Sequence, residues 1–100
     1  IGPGISHCCF ETTADVPTAV REHLGSAAEH CITDHQNGKF HVDLKKVNTL
    51  WLEQAGVKRE NIAVSDACTA CDLETFWSHR RTGTVRGSMA AMICLPGRTP

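Results

Sequence analysis

The dipeptide Asn37-Gly38 constrains the fold of this chain more than any other local feature. It lies between two short runs at residues 31–33 and 40–42, which include β-branched and aromatic side chains. Asn-Gly favours the positive φ angles of a tight turn between antiparallel strands. The sequence therefore predicts a β-hairpin over residues 31–43.

Helical patterns flank this hairpin on both sides. Upstream, apolar residues recur at helical spacing over residues 17–24, between Asp15 as the expected N-cap and Gly25 as the expected stop. Downstream, Asp43 is placed to cap a second helix that Gly56 ends. One apolar stripe on this second helix is expected to face the core: Leu44, Val47, Trp51 and Ala55.

The remaining segments carry weaker signals. Residues 1–11 indicate a turn that leads into a strand, and short strands are predicted at 61–65 and 88–95. One or two helical turns are expected over residues 72–79 with Asp72 as their cap. The adjacent lysines of the second helix, Lys45 and Lys46, are expected to be solvated. This alternation of helices and strands predicts the α/β class.

Length and charge limit the classes of protein that the chain can represent. One hundred residues are enough for one domain, and the net charge of −1 gives no indication of binding to nucleic acid or to an acidic membrane surface. No apolar run is long enough to span a bilayer, and no signal-peptide pattern is present. Because the chain opens at Ile1 inside a motif, we expect it to be a segment of a longer protein.

Six cysteines are a high count for this length, and we expect them to be reduced thiols. Cys68-x-x-Cys71 has the spacing of half a zinc knuckle, which needs further ligands. His79 is a candidate third ligand, and further candidates lie in a distant loop: His7, Cys8 and Cys9. The same thiols are also compatible with simple packing, with a redox pair, or with a nucleophile that pairs Cys8 or Cys9 with His41.

An abrupt change from apolar to cationic side chains occurs over residues 76–81. Two large aromatics are followed at once by polar groups, in the order Phe76, Trp77, Ser78, His79, Arg80 and Arg81. Guanidinium groups bind phosphate or carboxylate in pairs of hydrogen bonds, and an aromatic plane can stack a flat heterocycle. The segment therefore indicates a ligand site, although core packing of one aromatic and an ion pair of Arg80 with Asp66 or Asp72 remain open.

Six motifs in order resemble the laccase-domain family, also called multicopper polyphenol oxidase-like or YfiH-type. The opening Ile1-Gly-Pro-Gly-Ile-Ser-His-Cys-Cys-Phe-Glu11 resembles its Gly-Pro-x-Ile-x-x-Cys-Cys-[Tyr/Phe]-Glu turn. Further matches follow in register: His41-Val-Asp-Leu44 with Asn48, Ala55-Gly-Val57, Asn61-Ile62, Cys68-Thr69 with Phe76-Trp-Ser-His-Arg80, and Arg86-Gly-Ser-Met-Ala90. Members often have Asp-Gly after the arginine pair, where this chain has Thr82-Gly83, so the family pattern does not fix the geometry of that loop.

The resemblance implies a fold and a function. The fold would be the C-terminal part, residues 1–100, of a layered α/β/β/α sandwich that is also seen in toxins of the cytotoxic necrotizing type, so some strands would lack their neighbours. The function would be phosphorolysis of adenosine, inosine or methylthioadenosine and deamination of adenosine in the cytoplasm, with a purine nucleoside and phosphate as partners and no nucleic acid or membrane. The rival activity is copper-dependent phenol oxidation.

The resemblance also assigns roles to residues. In complete members one Cys and two His bind zinc or copper, and they lie upstream in motifs such as His-Ala-Gly-Trp-Arg-Gly that this sequence does not contain. The chain would then supply no catalytic residue and no ligand of that metal, and the isolated segment would be inactive. It would supply substrate-binding groups, for which the candidates are Phe76, Trp77, His79 and Arg80.

Overall fold

The computed structural model describes residues 1–97. Its strands are β1 (Glu11–Thr12), β2 (Ile32–Asp34) and β3 (Phe40–Val42), and its α-helices are α1 (Asp15–Leu24), α2 (Leu44–Gln54) and α3 (His79–Thr82). Two 3₁₀ helices, Gly25–Cys31 and Arg59–Asn61, complete the secondary structure of the described residues. The predicted α/β class is confirmed, with helices packed on a small antiparallel sheet. No helix in residues 1–97 combines the length and the apolar character that crossing a bilayer requires.

The predicted hairpin is confirmed and forms the larger part of the sheet. The strand order is β1-β3-β2, and β3 pairs antiparallel with both neighbours. The turn is closed by a hydrogen bond from the backbone N–H of His35 to the carbonyl of Lys39 at 3.1 Å. Gly38 has a φ of 82°, which is why glycine is favoured there. The central position of β3 places His41 between Glu11 of β1 and Thr33 of β2.

The two main helices form where they were predicted, with one difference at the start of α1. This helix begins at Asp15, two residues earlier than expected, and Ala14 occupies the cap position. The prediction of Asp15 as the N-cap is therefore wrong, because its carboxylate accepts a hydrogen bond from Thr13 Oγ1 at 2.9 Å instead. In α2 the predicted cap is confirmed, since Asp43 Oδ1 accepts from the backbone N–H of Lys46 at 3.1 Å.

The core lies between α1, the first 3₁₀ helix, β3 and α2. Its buried members are Val20, Leu24, Ala28, Cys31, Val42 and Val47. The predicted stripe of α2 contributes only its first half to this core, because Trp51 is 49% exposed and Ala55 is exposed. Helix α2 packs mainly on the first 3₁₀ helix and on α1, and the Trp51 ring lies against His23 of α1 at 5.6 Å between ring centroids.

The prediction that Lys45 is solvated is wrong, whereas Lys46 is exposed as expected. Lys45 is 8% exposed, and its ammonium donates to Ser6 Oγ at 2.9 Å, to the carbonyl of Ser65 at 2.8 Å and to the carbonyl of Ala67 at 2.7 Å. A buried ammonium is tolerated where its three donors are all satisfied. Lys45 therefore joins α2 to the first residues of the chain and to the segment before Cys68.

The two predicted C-terminal strands do not form. Residues 61–65 run beside the start of the chain, where the backbone nitrogen of Ile1 donates to the carbonyl of Ala63 at 2.6 Å and the N–H of Ser65 donates to the carbonyl of Ile1 at 2.8 Å. Residues 88–95 make no strand pairing within the described residues, and Ile93 is 99% exposed. A strand requires a neighbour for its backbone groups, and residues 1–87 do not supply one.

The expected helical turns over residues 72–79 form only in part. Asp72 starts a single turn, because its Oδ1 accepts from the N–H of Thr75 at 3.2 Å and its carbonyl accepts from the N–H of Phe76 at 3.1 Å. The helix itself, α3, begins at His79. Ser78 caps it, since its hydroxyl oxygen accepts from the N–H of Arg81 at 3.4 Å.

Candidate functional site

Two loops that are about sixty residues apart in the sequence meet at one place on the surface. Gly4 pairs with Cys68 in a parallel bridge, and the N–H of Thr69 donates to the carbonyl of Gly4 at 3.1 Å. The N–H of Ser6 donates to the sulfur of Cys68 at 3.3 Å. These backbone contacts bring the Cys8-Cys9 turn over the Cys68-x-x-Cys71 turn.

Four thiols converge as a result. The sulfurs of Cys8, Cys9, Cys68 and Cys71 all lie within 4.8 Å of one another. The distance between Cys8 and Cys9 is 3.7 Å, and Cys71 is 3.6 Å from Cys8 and 3.4 Å from Cys9. Cys68 is buried and Cys9 is half-buried, whereas the other two are exposed. The group that could complete the half zinc knuckle is thus the Cys8-Cys9 pair, and neither His79 nor His7 belongs to this cluster.

The thiols of this cluster differ in acidity. Hydrogen bonding to Cys71 and burial raise the pKa of Cys9 to about 12, and hydrogen bonding to Cys71 also raises the pKa of Cys8. Burial acts to raise the pKa of Cys68 too, but backbone N–H groups of Ser6, Cys71 and Ala70 stabilise its thiolate more strongly and lower its pKa to about 6. Of these three thiols, Cys68 is therefore the one that ionises first.

An open hollow of about 360 Å³ adjoins the cluster. Its walls combine thiols, an imidazole, a carboxylate and two guanidiniums, from Cys8, Cys9, Glu11, His41, Ala70, Arg80 and Arg81. The strand β3 positions His41, and α3 positions both arginines. The hollow offers two permanent positive charges, which suits an anionic ligand group.

Arg80 reaches across this hollow to β1. Its Nη1 donates to the carbonyl of Glu11 at 2.8 Å, and its guanidinium carbon lies 4.9 Å from the centre of the Phe10 ring. The alternative that Arg80 pairs with Asp66 or Asp72 is wrong, because neither carboxylate forms an ion pair with it in the described part of the chain. Within residues 1–97, most of its donors have no other hydrogen-bond partner and are available to a ligand.

The other three predicted substrate-binding residues do not line the hollow of Arg80. Trp77 is 51% exposed, Phe76 is half-buried, and His79 Nδ1 accepts from Arg86 Nε at 3.2 Å. A methyl group at Gly87 would lie 2.7 Å from Trp77 Cε2, so the chain crosses close to the indole ring. The exposed part of the Trp77 ring is available for stacking, but Trp77 does not line the hollow that contains Arg80.

A group of histidines beside the hollow was missed by the sequence analysis. His35 Nε2 is hydrogen-bonded to His41 Nδ1, and His7 Nε2 is hydrogen-bonded to Thr33 Oγ1 at 3.0 Å. The ring centroids of His7 and His41 are 5.6 Å apart. The hairpin brings His35 to His41, and the contact of the opening segment with Thr33 of β2 adds His7. His41 shares the hollow with Cys8 and Cys9, but it forms no hydrogen bond with either thiol in residues 1–97.

Comparison with known proteins identifies the family. The sequence profile of the multi-copper polyphenol oxidoreductase laccase family matches residues 1–96. The chain is 37% identical over 93 residues to the purine nucleoside phosphorylase YlmD of Geobacillus stearothermophilus, and this match covers 93% of the chain and 34% of YlmD. It is 33% identical over 87 residues to the adenosine deaminase RL5 of an unknown prokaryotic organism, which covers 87% of the chain and 33% of RL5.

Solved structures agree with this assignment. The crystal structure of YlmD from Geobacillus stearothermophilus superposes with a TM-score of 0.78 at 36% identity, over 85% of this chain and 32% of that one. The YfiH protein of Bacillus licheniformis gives the same TM-score at 32% identity, over 82% of this chain and 31% of that one. The chain belongs to the multi-copper polyphenol oxidoreductase laccase family, and it spans about one third of the length of these relatives.

Proposed function

We propose that this chain is the C-terminal portion of an enzyme that acts on purine nucleosides. The complete protein, meaning the polypeptide that contains this chain, would cleave adenosine, inosine or methylthioadenosine with phosphate and would deaminate adenosine. The observation that carries the proposal is the match of about nine tenths of the chain to relatives named purine nucleoside phosphorylase and adenosine deaminase. Its partners would be the nucleoside and phosphate, with no nucleic acid or membrane involved.

The exposed apolar end of the described residues supports the view that this is part of a larger domain. Met92, Ile93 and Leu95 are almost fully exposed, and Val85 is largely so. Side chains of this kind are normally covered, because each buried methylene contributes about 0.8 kcal/mol. The relatives are about three times longer than the matched region, so the remaining part of such a domain is the expected cover.

The arginine-lined hollow supports a role in binding. Arg80 has free guanidinium donors beside the Phe10 ring, and Arg81 lies in the same wall. A phosphate or the hydroxyl oxygens of a ribose would accept from these donors, and burial of the site by the rest of the domain would strengthen those bonds. The chain would therefore bind and orient the substrate through Arg80, with Phe76, Trp77 and His79 as further candidate contacts.

The residues of this chain do not fit the metal site that the family resemblance implies. That site requires one Cys and two His, whereas the group of ligands that meets in residues 1–97 is made of cysteines alone. An all-thiol set favours a closed, structural site over one with an open position for substrate. The catalytic zinc or copper of the complete protein would thus take its ligands from other parts of the polypeptide.

Copper-dependent oxidation of phenols is the second candidate, because the family is described as a polyphenol oxidoreductase. The two activities have different products. Phosphorolysis of adenosine gives adenine and ribose 1-phosphate, deamination gives inosine and ammonia, and phenol oxidation consumes oxygen.

The test is a product analysis on the purified complete protein. Adenosine is supplied with and without phosphate and the products are separated by chromatography, while oxygen uptake is followed in parallel with a phenol. We expect adenine only when phosphate is present, inosine under both conditions, and little oxygen uptake. Oxygen uptake without any nucleoside product would overturn the proposal in favour of the oxidase. The isolated chain, assayed in the same way, is expected to be inactive.

A further inference from the structure

The spacing of the four clustered sulfurs matches that of a tetrahedral metal site. A zinc–sulfur bond of about 2.3 Å at the tetrahedral angle places the ligand sulfurs about 3.8 Å apart. Three of the sulfur pairs here are 3.7, 3.6 and 3.4 Å apart. The fourth sulfur, that of Cys68, lies within 4.8 Å of the others. An ion at the centre of the cluster would therefore require shifts of only a few tenths of an ångström for three of the ligands.

Backbone and buried hydrogen bonds fix the two loops that carry the four sulfurs. The bridge between Gly4 and Cys68 fixes the two turns side by side. The ammonium group of Lys45 donates hydrogen bonds to Ser6 and to the carbonyl of Ala67, one in each loop. The N–H of Ser6 donates to the sulfur of Cys68, which is the kind of backbone contact that orients a thiolate ligand. The sulfurs thus converge through backbone and buried contacts, not through flexible side chains alone.

The charge around the cluster also suits a metal–thiolate centre. Zinc with four thiolates carries a net charge of −2, and the adjoining hollow is lined by Arg80 and Arg81 beside Cys8 and Cys9. The two guanidiniums that line the same hollow as these thiols offset part of that negative charge. Four soft sulfur ligands with no free position suit zinc in a structural role.

We propose that Cys8, Cys9, Cys68 and Cys71 bind one zinc ion in a closed tetrahedral site that fastens the two loops together. Binding holds all four sulfurs as thiolates and releases the protons of those that are not already ionised, with no change in oxidation state. This site is separate from the Cys/His centre that the family resemblance implies, and it does not depend on the proposed activity. Because the loops are joined from residues 8–9 to residues 68–71, the ion would stabilise the folded chain.

A disulfide is the competing chemistry for the same cysteines. Cys9 and Cys71 are the nearest pair at 3.4 Å, whereas a disulfide requires about 2.05 Å. A single disulfide would use two of the sulfurs, yet Cys8 lies almost as close to Cys71, at 3.6 Å. A disulfide brings together two sulfurs, whereas four sulfurs that converge on one point are typical of metal ligands.

The first test measures metal content in the complete protein. The protein is prepared under reducing conditions, supplied with Zn²⁺, freed of loosely bound ions and analysed for zinc per chain. The double variant Cys68→Ser/Cys71→Ser is expected to bind one ion fewer per chain than the unaltered protein. The matched control is Cys94→Ser, since Cys94 is an exposed cysteine outside the cluster, and it is expected to retain the full content. Equal zinc content in the double variant and the unaltered protein overturns the proposal.

The second test uses the unaltered protein, so that it does not depend on folding of the variant. Alkylation by iodoacetamide is followed at each cysteine by mass spectrometry, with Zn²⁺ present and after its removal by a chelator. We expect zinc to slow alkylation at least tenfold at the exposed Cys8 and Cys71, and to leave the rate at Cys94 unchanged. Equal rates at Cys8 and Cys71 in both states, or a Cys9–Cys71 disulfide in the purified protein, would overturn the proposal.

Discussion

The ammonium group of Lys45 donates to the carbonyl oxygen of Ala67 at 2.7 Å, and this contact links helix α2 to the residue that precedes Cys68. The same group also donates to Ser65 and to Ser6. Both loops of the thiol cluster are therefore held by one side chain, which ties the stability of α2 to the geometry of the candidate site.

Replacing Lys45 by Met should destabilise the protein. The change keeps most of the side-chain volume, but it leaves the carbonyls of Ser65 and Ala67 without their donor, so we expect a loss of about 2–3 kcal/mol in the free energy of unfolding. Denaturant titration of the complete protein measures this. Lys46→Met is the control, because Lys46 is exposed on the same helix, and its cost should stay within about 0.5 kcal/mol. Equal costs for the two variants would show that Lys45 is not a structural donor.

The cap of α2 is a second contact that can be tested. Asp43 accepts a hydrogen bond from the N–H of Lys46, and Asp43→Ala removes it at a cost of about 1 kcal/mol. Asp43→Asn keeps an acceptor oxygen in the same place, and it should cost less than half as much. Thermal melting of the three proteins gives the comparison. If the Asn variant is as unstable as the Ala variant, the carboxylate contributes through its charge, not through the cap.

The local order of elements could be predicted from the sequence, whereas their partners could not. The hairpin, α1 and the capped α2 follow from turn residues, caps and helical spacing, which are short-range signals. The predictions of strands at 61–65 and 88–95 were wrong, because 61–65 is paired only with Ile1 and 88–95 has no strand partner within the described residues. Strand partners depend on the whole domain and not on local sequence. Trp51 was assigned to the core from its position on the stripe, but its ring lies half-exposed beside His23 of α1.

The sequence indicated individual residues of the candidate site, but it did not indicate which of them meet in the folded chain. Cys68-x-x-Cys71 indicated an incomplete metal site, and Cys8 and Cys9 were among the candidates to complete it. The bridge between Gly4 and Cys68 in the folded chain brings Cys8 and Cys9 to the Cys68-x-x-Cys71 turn, and His79 does not join this cluster. The burial of Lys45 had no signal in the sequence, because its acceptors are two backbone carbonyls and a serine hydroxyl.

The close approach of Gly87 to Trp77 leads to a third prediction. A β-carbon at Gly87 would lie 2.7 Å from the indole ring, so Gly87→Ala should displace the ring or the chain that crosses it. In a Trp51→Phe background, Trp77 is the only tryptophan of this chain. We expect the emission maximum of Trp77 to move to longer wavelength in the Gly87→Ala variant. Gly97→Ala is the control, because a β-carbon there meets no atom within 4 Å. An unchanged spectrum in the Gly87 variant would contradict the contact.

The last prediction separates a substrate contact at Arg80 from a structural one. Within residues 1–97 it contacts the carbonyl of the exposed Glu11 and the ring of Phe10, which is half-buried. Arg80→Lys keeps the charge but removes the paired donors, so in the complete protein we expect turnover of adenosine to fall about tenfold, or about 1.4 kcal/mol, with little change in melting temperature. Arg59→Lys, at an exposed arginine away from the hollow, should change neither quantity. If the Arg80 variant melts at a lower temperature while its folded fraction retains full turnover, the guanidinium holds β1 in place and does not bind the substrate.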